Sequence, residues 1–482
     1  MTRTLVLAVL MSAGLAIRMS ELDQSIVRFH PTRHYRSAVL ARACYYDRAP
    51  GIPEWAKAVA GANRVMQPAG EPQVMEWLAC RGYLALGHEN ILIPRALAAL
   101  AWVAGAIPLW SIAARIASPA GASLAAAIYL FLPYGIVASR NFQPDPLMTL
   151  ASLCAIAALL RYHERPERGR FMVAALLVGV AGLIKPMSVF LTLPAIAAVA
   201  WTARAGPSLV QLLTLAGAGL ILPVLYYGYS AIAGSLVRDQ MRMRLEPYLI
   251  ATAFFWEGLA RMASQVETLP LLALTGVAAI VGTHRLARWL LAALLGGYLA
   301  FAIVFTYHMP THDYYHLPYI AVVAIGAAVL FARFESRVPA MVVYGVCAAT
   351  AVAGSMAAWP RLHQANAAEY ARIYQEIGEL TAHDTRALFL DTEYGYALMY
   401  HGQISGDSWP NRDDLAAEAI DRRPPVDAET RYLRDYADWS PRYFVITDLG
   451  SLEASPDLRE MLERRATPVG ITDRYRVYRF SR

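Results

Sequence analysis

A chain of 482 residues in which 57% are apolar and only 17% charged cannot be parcelled into ordinary soluble domains, which carry roughly 25% charged residues. Its net charge of +6 does not signal nucleic-acid binding, because much of it lies in arginines at the ends of apolar stretches, where positive charge retains short loops in the cytoplasm. What remains is an α-helical polytopic membrane protein with two water-soluble parts.

Eleven apolar stretches follow one another at about 4–17, 92–113, 120–138, 146–160, 171–184, 187–202, 208–230, 267–282, 289–307, 317–332 and 339–358. Crossing the hydrocarbon takes about 20 helical residues, so the shorter stretches are expected to extend into their polar flanks. The first, between Arg3 and Arg18, has the length of a signal-peptide core as well as of a short anchor, and is read as an anchor. With residue 1 in the cytoplasm, every short inside turn is basic: Arg115; Arg161, Arg165, Arg168 and Arg170; Arg204; Arg285 and Arg288; Arg333 and Arg337. That asymmetry places 19–90, the 139–145 turn, Lys185, 231–266, 308–316 and the tail outside. The organisation expected is a membrane domain over 1–358, with a long first extracytoplasmic loop at 19–90 carrying interfacial helices, and a small extracytoplasmic α/β domain over 359–482.

The first loop opens with Asp23 and continues through His30-Pro31-Thr32-Arg33-His34-Tyr35 into a helix-like run from Ser37 to Tyr46. Cys44 and Cys80 share this loop and can pair if it is extracytoplasmic, although two cysteines alone are weak evidence. Glu71 sits in a Gly-Glu-Pro turn before an amphipathic stretch from Gln73 to Gly87, which suits a helix in the interface plane with Trp77 and Tyr83 as anchors. After the third stretch come Arg140 and, between two prolines, Asp145. That acid can serve chemistry or simply cap the following helix. Lys185-Pro186 interrupts an apolar run, where a lone lysine either snorkels or contacts a phosphate. The run Thr311-His312-Asp313-Tyr314-Tyr315-His316 is the most polar short turn of the membrane domain. Its spacing matches no zinc motif, so hydrogen bonding and proton movement are its expected uses. Arg238, Arg242 and Arg244 make an anion-attracting stripe in the 231–266 segment.

In the tail, 387–390 and 443–447 read as strands, 456–464 as a short helix, and 469–471 with 475–478 as a closing hairpin. Nothing there resembles a nucleotide-phosphate loop.

Outward acids, outward cations and an interfacial helix suit transfer of a group from a lipid-linked phosphate. The cations hold the leaving phosphate, an acid activates the acceptor, and the spans make a groove for the lipid chain. The acids are Asp23, Glu71 and Asp145. The donor-binding residues are His30, Arg33, Arg140, Lys185, Arg242, His312, Asp313, Tyr315 and His316. No cofactor is required by the pattern, and a divalent cation remains an option. The rival reading is a transporter or lipid flippase, against which stands the scarcity of ionisable groups within the spans.

Over residues 1–358 the chain resembles the GT-C superfamily of integral-membrane glycosyltransferases, in particular bacterial members similar to protein O-mannosyltransferases and the aminoarabinose transferase of lipid A. The resemblance is carried by the His-Pro-x-x-x-Tyr element at 30–35, Glu71-Pro72 before an interfacial helix, Arg140 to Asp145, Lys185-Pro186, and Tyr-Tyr-x-Leu-Pro at 314–318. It implies inverting transfer from a polyprenyl-phosphate sugar to a glycan, lipid or protein hydroxyl, in a bacterial inner membrane, with a first-loop carboxylate as base. The chain departs from the pattern at Thr32-Arg33, where many relatives have an acid pair, so Asp23 stands as the first substitute.

Overall fold

The computed structural model describes residues 3–23, 29–67, 70–202, 206–232, 246–363, 367–420 and 422–481. Arg242 and its neighbours Arg238 and Arg244 lie outside the described residues. The chain forms two compact units: Met1–Leu22, Ala69–Val74 and Arg95–His363 in one, and Asp23–Pro68, Met75–Pro94 and Gln364–Arg482 in the other.

The first unit is helical throughout. Each of the eleven apolar stretches becomes a helix, and several are broken where proline removes a donor. The third stretch divides into Pro119–Phe131 and Pro133–Ala138 with extended Leu132 between. Ser118 caps its start by accepting from the Gly121 N–H at 3.0 Å. Pro133 has no N–H to give the Tyr129 carbonyl, and Trp102 Nε1 donates to that carbonyl instead, at 3.3 Å. Among the described residues five helices are long and apolar enough to cross a bilayer alone, and the pair Ala253–Val266 and Leu269–Val281, bent by 94°, makes a sixth candidate. The bend places an amphipathic helix where the sequence suggested only loop.

Two helices, Asp145–Glu164 and Arg168–Ile184, form an antiparallel hairpin closed by a short basic turn. Arg168–Ile184 then crosses Leu209–Ile232 at Gly179 and Gly219. A Cβ on Gly179 would stand 2.8 Å from the Gly219 carbonyl oxygen, so only a glycine lets these backbones approach this closely.

The second unit joins the first-loop helices Pro31–Tyr46, Glu54–Met66 and Val74–Leu86 to a five-stranded sheet in the order β2-β1-β3-β5-β4. β1 (Ala387–Leu390) pairs in parallel with β2 (Gly406–Ser408) and with β3 (Tyr443–Ile446). β5 (Arg476–Phe480) runs antiparallel to β3 and to β4 (Ala466–Ile471), making the expected hairpin. All four β1 residues are buried, as a central parallel strand covered on both faces requires. A Cys44–Cys80 disulfide ties Pro31–Tyr46 to Val74–Leu86. Tyr83, expected as a membrane anchor, is instead fully buried against Tyr45. Trp77 is exposed.

Candidate active site

In the first unit the helical hairpin brings residues 145 and 185 to the same end. Asp145 opens its helix without capping it, which leaves the carboxylate free to reach across. Lys185 leaves Arg168–Ile184 in an extended conformation imposed by Pro186. Its ammonium donates to Asp145 Oδ1 at 2.7 Å, with both side chains almost wholly buried. The same ammonium lies 5.3 Å from the Tyr314 ring centroid and 5.2 Å from that of Tyr315. Four of the sequence-selected elements thus converge: the 139–145 turn, Lys185, and the two tyrosines of the 311–316 turn.

That turn is fixed from behind. His316 is fully buried, its Nε2 2.9 Å from the Met309 carbonyl and its Nδ1 2.8 Å from the Tyr298 hydroxyl. A carbonyl only accepts, so Nε2 carries the proton and Nδ1 accepts from Tyr298 in the neutral ring. Glu267 Oε1 stands 3.5 Å from Nδ1, and this carboxylate is also fully buried. Asp313 faces the phenol of Tyr134, which has Asp145 and Glu267 within electrostatic reach as well. Thr311 and His312 bond each other at 2.7 Å. Glu267, Tyr134 and Tyr298 were missed from the sequence. The available signal was an acid at the mouth of an apolar stretch, which is seldom placed there without a role.

Arg140 is buried and donates to the Glu21 carbonyl at 2.6 Å. Arg95 reaches the Arg140 carbonyl in turn. Arg18, read only as a flank of the first helix, is fully buried. Its guanidinium donates to Ser139 Oγ at 2.7 Å and to the carbonyls of Gly14, Leu130 and Gly135. Glu71 belongs to the same unit, within electrostatic reach of Tyr226 and Tyr227.

The remaining first-loop residues belong to the second unit. Asp23 is exposed in a turn. His30 adopts a left-handed φ of 48° just before Pro31–Tyr46. Arg33 lies within electrostatic reach of Tyr396. Where the acid pair was absent, Thr32 meets an acid from elsewhere: its N–H donates to Glu393 Oε2 at 3.2 Å and its hydroxyl donates to the same oxygen. Burial pushes the Glu393 carboxyl above its ordinary range. Its neighbour Asp391, at the end of β1, accepts from the Glu393 and Gly395 N–H groups and from Thr447 Oγ1. Among the described residues no three His, Cys, Asp or Glu side chains converge as a metal site.

Residues 70–227 match the family described as dolichyl-phosphate-mannose-protein mannosyltransferase. No curated protein matches the sequence. In fold the chain is similar to ArnT from Cupriavidus metallidurans bound to undecaprenyl phosphate, with a TM-score of 0.61, 14% identity, and 98% of this chain covering 97% of that one. It is also similar to the oligosaccharyltransferase AglB from Archaeoglobus fulgidus in complex with an inhibitory peptide and a dolichol-phosphate. There the TM-score is 0.59 at 11% identity, with 97% of this chain covering 72% of that one. The chain therefore carries the same fold as these two proteins.

Proposed function

We propose that this protein transfers a sugar from a polyprenyl-phosphate carrier to a hydroxyl acceptor at the extracytoplasmic face, with inversion. The observation that carries the reading is the buried Asp145–Lys185 pair beneath Tyr314 and Tyr315. The likeness to folds holding undecaprenyl phosphate and dolichol-phosphate supports the donor class.

In this reading Lys185 neutralises charge on the departing phosphate, and Asp145 fixes the ammonium where that charge develops. The acceptor oxygen attacks the anomeric carbon while the bond from that carbon to the phosphate oxygen breaks. The acceptor's proton passes to a carboxylate, for which Glu71 and Asp23 are the candidates that the sequence offers. The tyrosine rings border the cation and exclude water. The Cys44–Cys80 disulfide supports an oxidising, extracytoplasmic location for the first loop, in agreement with the positive-inside pattern.

The test is transfer from a radiolabelled polyprenyl-phosphate sugar by the full-length protein, with Lys185→Met, Asp145→Asn, Glu71→Gln and Asp23→Asn compared singly. Loss of kcat in the first two, and in one of the second two, supports the assignment. Undiminished transfer by Lys185→Met and Asp145→Asn would remove the site from this position.

A further inference from the structure

At the far end of the same hairpin lies a cavity of about 470 Å³ that the transfer reaction does not use. It is lined by Arg115, Arg161, Arg165 and Arg170 against the single acid Glu164. That acid is engaged, since it pairs with Arg115 at 3.1 Å. Arg170 is held by Glu167 at 3.4 Å and donates to the Arg161 carbonyl. Among the described residues no carboxylate pairs with Arg161 or Arg165, so two guanidinium forks remain available to an anion. A further wall is Gly169, in the first turn of Arg168–Ile184. Glu167 does not cap that helix with its side chain, and the positive end of the helix dipole lies at this turn.

We infer that this cavity binds the phosphodiester of an anionic glycerophospholipid headgroup. Paired guanidinium groups match phosphate oxygens bidentately and favour phosphate over halide. A water occupies about 30 Å³, so the volume holds a phosphate with its glycerol. The apolar side of the cavity, Ala158 and Val173, continues as an exposed stripe of Val173, Leu176 and Val180. These positions repeat at i, i+3 and i+7 on one helix face, offering acyl chains a track directly below the headgroup. The Asp145–Glu164 helix has 20 residues and is therefore about 30 Å long, the thickness of the hydrocarbon. The cavity thus sits at the membrane interface opposite the Asp145–Lys185 pair. On the positive-inside orientation this is the cytoplasmic leaflet, where anionic lipids collect.

The experiment is native mass spectrometry of the purified full-length protein titrated with phosphatidylglycerol or phosphatidylcholine, and separately with glycerol 3-phosphate. Wild type is expected to retain phosphatidylglycerol in preference to phosphatidylcholine. Arg161→Ala/Arg165→Ala should weaken that binding about tenfold or more, or about 1.4 kcal/mol. Arg333→Ala/Arg337→Ala, which removes two arginines from another basic turn, should leave it unchanged. Equal retention of the two lipids, undiminished binding by the first double variant, or an equal loss in the second overturns the site. Saturable binding of glycerol 3-phosphate at the lipid's own concentration overturns the lipid source. Should the double alanine variant not fold, Arg161→Lys/Arg165→Lys keeps the charge and removes the forks. Severalfold weaker binding then supports the assignment, and unchanged binding overturns it.

Discussion

Lys185 and Asp145 are 40 residues apart in sequence and 2.7 Å apart in space, buried together where a hairpin of two apolar helices opens. Neither charge has water to fall back on, so removing one partner strands the other. Lys185→Met is expected to lower the unfolding free energy by about 3–5 kcal/mol. Lys185→Met/Asp145→Leu should recover most of that loss while remaining inactive. Thermal unfolding in detergent measures both, and losses that simply add in the double variant would show that the pair does not couple.

The disulfide closes a loop with a sequence separation of 36. Loop-closure entropy for that length is about 3–4 kcal/mol at 25 °C. Cys44→Ser/Cys80→Ser is therefore expected to lose about that much unfolding free energy, read as a lower denaturant midpoint. Reductant should lower the wild-type midpoint and leave the variant's where it is.

His401 predicts a pH dependence. Its Nε2 lies 2.9 Å from the Tyr35 hydroxyl, which a neutral ring accepts, and burial, helped by the charge of Arg42, lowers its pKa to about 4. A depressed folded-state pKa contributes stability that is fully present above the ordinary value near 6.5 and is lost as pH falls toward 4. Between pH 7.5 and 5 the wild type should lose about 2 kcal/mol that His401→Gln does not. Parallel melting curves for the two proteins across that range would contradict it.

Arg18 serves four acceptors across two helix breaks. Arg18→Ala removes a buried donor from Ser139 Oγ and the Leu130 carbonyl, while the Gly135 carbonyl keeps the Ser139 N–H, at a cost of about 1–3 kcal/mol. Arg18→Lys is expected to recover only part of it, since an ammonium has three donors and no planar fork. A variant melting within 1 °C of wild type would show that these acceptors find other donors.

Helix positions were legible because apolar length acts locally. The Asp145–Lys185 contact was half legible: two spans joined by a short turn must return to the same level, yet only packing decides that the side chains meet. Glu267 was hidden because it borders an apolar stretch and takes its meaning from His316, a residue of the distant 311–316 turn. Thr32 looked like a lost acid, and nothing local could show Glu393 reaching it from 361 residues away. Tyr83 failed as an anchor for a related reason. An amphipathic tyrosine suits a bilayer interface and a protein core equally, and the disulfide-bonded helices provided the core.

The Arg18 guanidinium also constrains the order of biosynthesis. Its acceptors at Leu130, Gly135 and Ser139 are made more than a hundred residues after it. Until that segment is inserted, the first helix carries a cation with no settled place in the bilayer. Early in translation it is therefore expected to stay at the lipid–water boundary until the broken third segment arrives to receive it.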